Sequence, residues 1–143
     1  MHLCLSCMEQ YDEKYGICPN CGADYNIKAS ESFHLEPGTE LGERYIVGRV
    51  LGQGGFGVTY IGFDIELKKK VAIKEYLPSE FSTRSVHETK VTVFGGDKEE
   101  QFKAGIARFV KEAKRLAKFN KESEIINIYD TVEENGTAYI IME

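Results

Sequence analysis

Two groups of residues in this sequence have types and spacings suited to chemistry. The first is a glycine-rich stretch at 51–60, which reads G-x-G-x-x-G through glycines 52, 54 and 57. Glycines let backbone N–H groups approach a phosphate with no Cβ in the way. The second group is a pair of C-x-x-C motifs within the first 21 residues, and paired thiolates bind metal ions.

The elements on either side of the glycines decide which kind of phosphate site they form. A β-branched and aromatic run at 58–63 follows them, then a charged turn at 66–70 and a second strand at 71–76. A dinucleotide-binding fold needs a helix directly after the glycines, so that its amino terminus faces the pyrophosphate. Here the glycines join two strands, which predicts a hairpin whose backbone lies over phosphates.

The four cysteines are Cys4, Cys7, Cys18 and Cys21. Two C-x-x-C knuckles predict a closed, tetrahedral Zn²⁺ site, and the metal would supply most of the folding free energy of so small a segment. Two disulfides in a secreted scaffold are the alternative, which the lack of a signal-like amino terminus disfavours. A redox pair is disfavoured because neither motif lies in a βαβ pattern. His2 and His34 are expected to be ordinary surface residues. A closed four-cysteine site has no open coordination position for a substrate, so we predict a role in protein contact or regulation and not in catalysis.

Charge and hydropathy exclude several classes of function. The 143 residues carry a net charge of −5, which argues against a general nucleic-acid-binding surface. No apolar run reaches the length of a membrane span, so we expect a soluble, cytoplasmic chain without membrane contact. The polar stretch at 26–40 is interpreted as a linker.

The glycine hairpin followed by V-A-I-K at 71–74 resembles the protein-kinase family, in particular the bacterial serine/threonine kinases. The resemblance covers roughly residues 35–143. It implies ATP with Mg²⁺ as the nucleotide, Lys74 on the α- and β-phosphates and Ala72 against the adenine. Thr59 stands where the family commonly has valine, and keeps the β-branched shape. The implied nucleotide contacts are Leu51, Gly52, Gln53, Gly54, Gly55, Phe56, Gly57, Thr59, Ala72, Lys74, Met142 and Glu143.

A long helix is predicted after a short inserted hairpin or ordered loop that begins at Pro78. Asp97 has the position of an N-cap, with Glu100 three residues on in a capping-box pattern. One apolar stripe at helical spacing predicts core contacts for Phe102, Ile106, Phe109, Ala113 and Leu116.

Glu112 lies at the margin of this stripe, where its side chain can reach a neighbouring strand. The resemblance implies that Glu112 is the carboxylate partner of Lys74. The alternative is a solvent-facing pair with Arg108 or Arg115. Glu99, Glu100 and Glu122 lie too near the helix ends to compete.

Two final strands are predicted at 125–132 and 137–142, joined by a turn with Asn135-Gly136. By resemblance, Met142 is the gatekeeper behind the adenine and Glu143 the first hinge residue. The sequence lacks H-R-D, D-F-G and A-P-E, which carry catalytic and magnesium-binding groups in this family. We therefore expect an amino-terminal lobe cut at the hinge, inactive alone and with an exposed lobe interface that favours self-association.

The predicted fold is α+β: a zinc ribbon at 1–25, the linker at 26–40, and a kinase amino-terminal lobe at 41–143 with a five-stranded antiparallel sheet and one long helix. One functional hypothesis is the ATP-binding part of a serine/threonine protein kinase, with protein substrates and a regulatory protein bound through the ribbon. The other is a non-catalytic assembly module.

Overall fold

A computed structural model describes residues 1–85, 88–118 and 127–143. In chain order the elements are β1 (His2–Leu3), β2 (Gln10–Tyr11), β3 (Glu40–Leu41), β4 (Tyr45–Gly54), β5 (Gly57–Asp64), β6 (Lys69–Tyr76), β7 (Ser82–Thr83), β8 (Thr92–Val93), α1 (Asp97–Ala117), β9 (Ile128–Glu134) and β10 (Thr137–Met142). Within the described ranges, no helix combines the length and apolarity needed to cross a bilayer.

The main sheet is antiparallel and has the strand order β3-β4-β5-β6-β10-β9. The predicted α+β class is confirmed, but the sheet has six strands where five were predicted. The extra strand is β3, a two-residue strand whose Leu41 pairs with Tyr45 of β4. So short a strand has no periodicity for a sequence pattern to reveal. The strand predicted at 125–132 is described from Ile128 onward, and 125–126 lie outside the described residues.

Alternation along β6 gives the sheet two different faces. Val71, Ile73 and Glu75 are buried on one face, where Leu35 and Val91 join the core. The opposite face carries Lys74 and packs against α1, which buries Ala113 beside Ile128 and Ile140. Lys74 therefore lies on the helix side of the sheet, opposite Val71, Ile73 and Glu75.

Helix α1 begins differently from the prediction. Asp97 was predicted as the N-cap, but the cap is Gly96, which makes no side-chain capping hydrogen bond. Gly96 has φ of 74°, a left-handed conformation that glycine adopts at no steric cost. Asp97 is instead the first helical residue, where its charge favours the positive end of the helix dipole. The predicted apolar stripe is confirmed as core contacts: Phe102 and Ala113 are buried, and Ile106, Phe109 and Leu116 are half-buried against the clusters.

The predicted insertion contains the hairpin of β7 and β8, and it anchors to the sheet through a buried ion pair. The side chains of Arg84 and Glu75 are both 0% exposed. Arg84 Nη2 donates to Glu75 Oε2 at 2.6 Å and Nη1 donates to Oε1 at 3.1 Å. The Tyr60 hydroxyl donates to the same carboxylate at 2.9 Å. Burial lowers the pKa of Arg84, but the hydrogen bond to Glu75 and the charge interactions with Glu75, Tyr139 and Tyr60 together outweigh burial, and the pKa is raised.

Replacement of Arg84 by methionine is expected to destabilise the chain by about 3–5 kcal/mol, because Glu75 would remain buried without its partner. The double variant Glu75→Leu/Arg84→Met should recover much of this loss, since apolar side chains replace both charges. Urea unfolding of the metal-loaded chain measures both. Arg115→Met, which removes an exposed ion pair with Glu112, is the control and should change stability little. Equal effects at Arg84 and Arg115 would contradict the role assigned to the buried pair.

Candidate nucleotide cavity and metal centre

An open cavity of about 950 Å³ lies between the sheet and α1. Five of the predicted site residues line it: Phe56, Thr59, Lys74, Glu112 and Met142. Strand register explains why they meet. Thr59 and Ile140 lie on either side of Lys74 across neighbouring strands. The cavity falls within the volume range of small-molecule sites.

The other predicted nucleotide contacts lie elsewhere. Gln53, Gly54 and Gly55 line a second cavity of about 350 Å³, together with Ser79 and Phe94. The residues that lie outside the lining of both cavities are Leu51, Gly52, Gly57, Ala72 and Glu143. The glycine hairpin thus faces two spaces, one on the helix side of the sheet and one towards the insertion.

The segment that directly follows β6 holds the glycine hairpin by backbone hydrogen bonds. Leu77 N donates to Phe56 O at 3.1 Å, and Ser79 N donates to Gly55 O at 3.0 Å. At Gly57, a Cβ would lie 2.0 Å from the carbonyl oxygen of Glu75, so only glycine fits there. Gly54 is different, because a Cβ there would meet nothing within 4 Å. Protein packing therefore requires the glycine at 57 and leaves open space at 54.

His34 also holds the hairpin, and its predicted surface position is wrong. The side chain is 5% exposed, and its Nε2 donates to Gln53 Oε1 at 2.5 Å. The ring packs edge-on against Phe33 at 4.7 Å between centroids. This burial depends on residues distant in sequence, which a local pattern does not reveal.

Lys74 and Glu112 line the same cavity but form no ion pair with each other among the described residues. Lys74 is exposed. Glu112 accepts a hydrogen bond from Arg115 Nε at 3.2 Å, and this bond lowers the pKa of Glu112. The surface-pair alternative with Arg115 is thus the arrangement seen, and the pair with Lys74 stays a prediction. Of the competing carboxylates, Glu99 pairs with Lys103 at 3.4 Å, and Glu122 lies outside the described residues.

The cavity lining also contains residues that the sequence analysis did not assign to the nucleotide site, among them Tyr76, Gly105 and Arg108. A Cβ on Gly105 would lie 1.7 Å from the Tyr76 hydroxyl, so this glycine lets the helix approach β6 closely. An isolated glycine inside a helical pattern often has such a packing reason, and that signal was available. Burial raises the pKa of Tyr76, and Arg108 acts in the opposite direction. Arg108 adds a second cation to the lining beside Lys74.

The four predicted metal ligands converge at the other end of the chain, and their sulfurs all lie within 4.8 Å of one another. Cys4 and Cys21 are 3.6 Å apart between Sγ atoms, and Cys7 and Cys18 are 3.7 Å apart. A tetrahedral Zn²⁺ with bonds of about 2.3 Å separates its sulfurs by about 3.8 Å, whereas a disulfide needs about 2.05 Å. All four cysteines are free, so the donor set and its spacing fit a structural zinc ion.

The surroundings of the sulfurs differ, and so do their proton affinities. Burial raises the pKa of the Cys4 thiol to about 12. Burial acts in the same direction on Cys7, but hydrogen bonds from the Asn20 side chain and the Glu9 backbone outweigh it and lower the pKa to about 7. A divalent cation is the group that would let four thiolates share so small a space.

Comparisons with known proteins agree with the kinase-like motifs. PrkC of Bacillus subtilis, a serine/threonine-protein kinase, is 31% identical over 106 residues, which are 74% of this chain and 13% of PrkC. CBL-interacting serine/threonine-protein kinase 2 of Arabidopsis thaliana is 25% identical over 103 residues, 72% of this chain and 18% of that protein. No protein-family model matches the chain.

A comparison with solved structures also finds a protein similar to this chain in fold. The solved apo form of PpkA-294 is 31% identical, has a TM-score of 0.72, and matches 78% of this chain and 39% of its own. The chain thus spans less than a fifth of the length of the two kinases above. It also contains the four clustered cysteines. Over about three quarters of its length, the chain is related in sequence and in fold to bacterial serine/threonine protein kinases.

Proposed function

We propose that this chain is the ATP-binding amino-terminal portion of a serine/threonine protein kinase, which transfers the γ-phosphate of ATP to hydroxyls of a protein substrate. The observation that carries the proposal is the convergence of Lys74, the glycine hairpin and α1 on one open cavity of about 950 Å³. A scaffold without a ligand has no physical need for an exposed lysine in such a cavity.

Different residues of the site would bind different parts of the nucleotide. Lys74 is on the central strand of the site, where its ammonium can neutralise phosphate oxygens. The glycine hairpin offers backbone N–H groups, and the open space beside Gly52, Gly54 and Gly55 leaves room for phosphates to approach. Met142 and Thr59 give the cavity apolar surface for a base. Mg²⁺ would bridge the phosphates and neutralise their developing charge.

Positioning alone does not complete phosphoryl transfer. The reaction also needs a residue that orients the hydroxyl nucleophile and residues that hold the magnesium ions. The motifs that carry these groups do not occur in the 143 residues. We therefore propose that the chain binds nucleotide without transferring phosphate, and that its apolar cavity surface favours self-association in isolation.

The four-cysteine centre is proposed to hold one structural Zn²⁺. Cys4, Cys7, Cys18 and Cys21 would complete a closed tetrahedral shell, so the ion stabilises the fold and does not activate water. Asn20, whose side chain donates to Cys7 Sγ at 3.4 Å, would orient that ligand. The ribbon has a regulatory role in this proposal.

A second candidate function is a non-catalytic assembly module. The observation that favours it is the pairing of Glu112 with Arg115, which leaves Lys74 without the carboxylate that a kinase uses to orient it. Nucleotide binding separates the two candidates.

Lys74→Ala is expected to weaken binding of a fluorescent ATP analogue by about tenfold or more, since one charge-assisted phosphate contact is lost. Fluorescence titration of the 143-residue chain measures this. Lys69→Ala is the matched control, because Lys69 lies on the same strand over the Tyr129 ring and should leave the affinity unchanged. Equal weakening by both substitutions, or no binding by the unsubstituted chain, would favour the assembly module.

The chain is expected to bind one zinc ion, and Cys18→Ser should abolish stoichiometric binding because a closed site needs all four thiolates. Elemental analysis gives the stoichiometry, and Co²⁺ substitution should give the absorption of a tetrahedral thiolate site. Asn20→Ala keeps the four ligands, so it should still bind one ion, with affinity lower by about 10- to 100-fold. Full metal content in Cys18→Ser would refute the proposed ligand set.

A further inference from the structure

The first zinc knuckle, residues 4–9, lies directly on β4. Leu5 O accepts a hydrogen bond from Arg49 N at 2.9 Å, and Ser6 O accepts one from Arg49 Nε at the same distance. At the end of the knuckle, Glu9 forms an ion pair with Lys70 at 2.9 Å. Two backbone carbonyls of the knuckle are therefore hydrogen-bonded to one residue of the sheet.

Close packing at Gly48 makes this contact specific. A Cβ on Gly48 would lie 2.3 Å from Leu5 O, 2.4 Å from Met8 Cε and 2.8 Å from Ile61 Cγ2. The Leu5 carbonyl is backbone, so it cannot yield unless the knuckle itself moves. Met8 is 3% exposed and fills the space above the strand. Because Gly48 has no side chain, the knuckle can pack directly against the backbone of β4.

The shape of the knuckle depends on its ligands. Met8 N donates to Cys4 O at 2.7 Å, and Cys4 N donates to Glu9 O at 2.9 Å. These turns enclose Leu5 and Ser6 between Cys4 and Cys7, so an ion bound to both sulfurs also fixes the carbonyls that contact Arg49. Small metal-binding segments such as this one unfold when the metal is removed, because they have almost no hydrophobic core. The core cluster of the segment is essentially Tyr11 and two of the cysteines themselves, and its other buried apolar side chain, Met8, lies against Gly48 of β4.

We propose that the first zinc knuckle is a metal-dependent docking element whose partner is β4 of the same chain, so that loading the four-cysteine site stabilises the strand that leads into the glycine hairpin. Arg49 and Gly48 lie directly before the glycine stretch at 51–54. The inference rests on the proposed zinc binding and is independent of phosphoryl transfer. It assigns the first knuckle to the sheet and not to an external protein.

Hydrogen exchange of single amides tests the coupling. We compare the zinc-loaded 143-residue chain with the chain after chelation, by NMR. The reporters are the amide of Arg49, which donates to the knuckle, and the amide of Val47, which donates to Thr39 O at 2.8 Å within the lobe. Both should exchange at least tenfold faster after chelation. The amide of Val91, which donates to Asn135 O on the opposite side of the lobe, is the control and should change less than twofold.

The outcomes separate the two proposals. If Arg49 and the ribbon amides lose protection while Val47 keeps its own, the ribbon unfolds independently and the coupling is refuted. If elemental analysis finds no zinc in the chain before chelation, the zinc proposal fails, and the coupling fails with it for that separate reason.

Substitution at Gly48 tests the same contact from the sheet. Gly48→Ala should lower zinc affinity in competition with a chelator by about tenfold or more, because the added Cβ displaces the knuckle. Gly95→Ala is the matched control, since a Cβ there meets nothing within 4 Å. If Gly48→Ala fails to fold, Arg49→Met replaces it: this variant removes only the bond to Ser6 O and should speed zinc release. Unchanged zinc affinity in the folded Gly48 variant, or unchanged release from Arg49→Met, would overturn the docking role.

Discussion

The buried ion pair between Glu75 and Arg84 is the constraint on which the arrangement of this lobe depends. A carboxylate that is 0% exposed must be paired, and Arg84 satisfies both of its oxygens. The same guanidinium donates to Thr89 O in the insertion and to Phe33 O ahead of the sheet, each at 2.9 Å. One side chain therefore holds both the insertion and the segment ahead of the sheet against β6. Because Glu75 directly follows Lys74, strand alternation that directs the glutamate into this network directs the lysine to the opposite face, into the cavity.

Two groups of glycines in the chain have opposite physical roles. At Gly48, Gly57 and Gly105, a Cβ would lie 2.3 Å or less from a protein atom, so these residues allow close packing with the ribbon, with β6 and with Tyr76 respectively. At Gly52 and Gly54, a Cβ would meet nothing within 4 Å. The motif G-x-G-x-x-G thus contains both kinds: its last glycine is needed by the sheet, while its first two leave space that the protein does not fill.

Local patterns in the sequence were sufficient for much of the fold. The final hairpin is an example: Asn135 and Gly136 have φ of 58° and 75°, the left-handed values that an Asn-Gly turn requires. The apolar stripe of α1 and the convergence of the four cysteines follow from spacing in the same way. The pairing of Glu75 with Arg84 does not follow from local spacing. Alternation in β6 does place Glu75 among apolar residues, which indicates that the carboxylate needs a buried partner. Its partner comes from an insertion that has no regular pattern, and the burial of His34 likewise depends on Gln53, distant in the chain.

Strand β4 connects the two candidate sites of this chain. Its middle contacts the first zinc knuckle through Gly48 and Arg49, and its end forms the first half of the glycine hairpin. The register between β4 and β5 shifts twice, between Val47 and Val50 and between Val50 and Gly52. Irregularities of this kind bend a strand and interrupt its pairing, so this part of the strand depends less on its neighbour in the sheet than a regular strand does. Support from outside the sheet therefore matters most here, and the knuckle supplies it at the irregular segment.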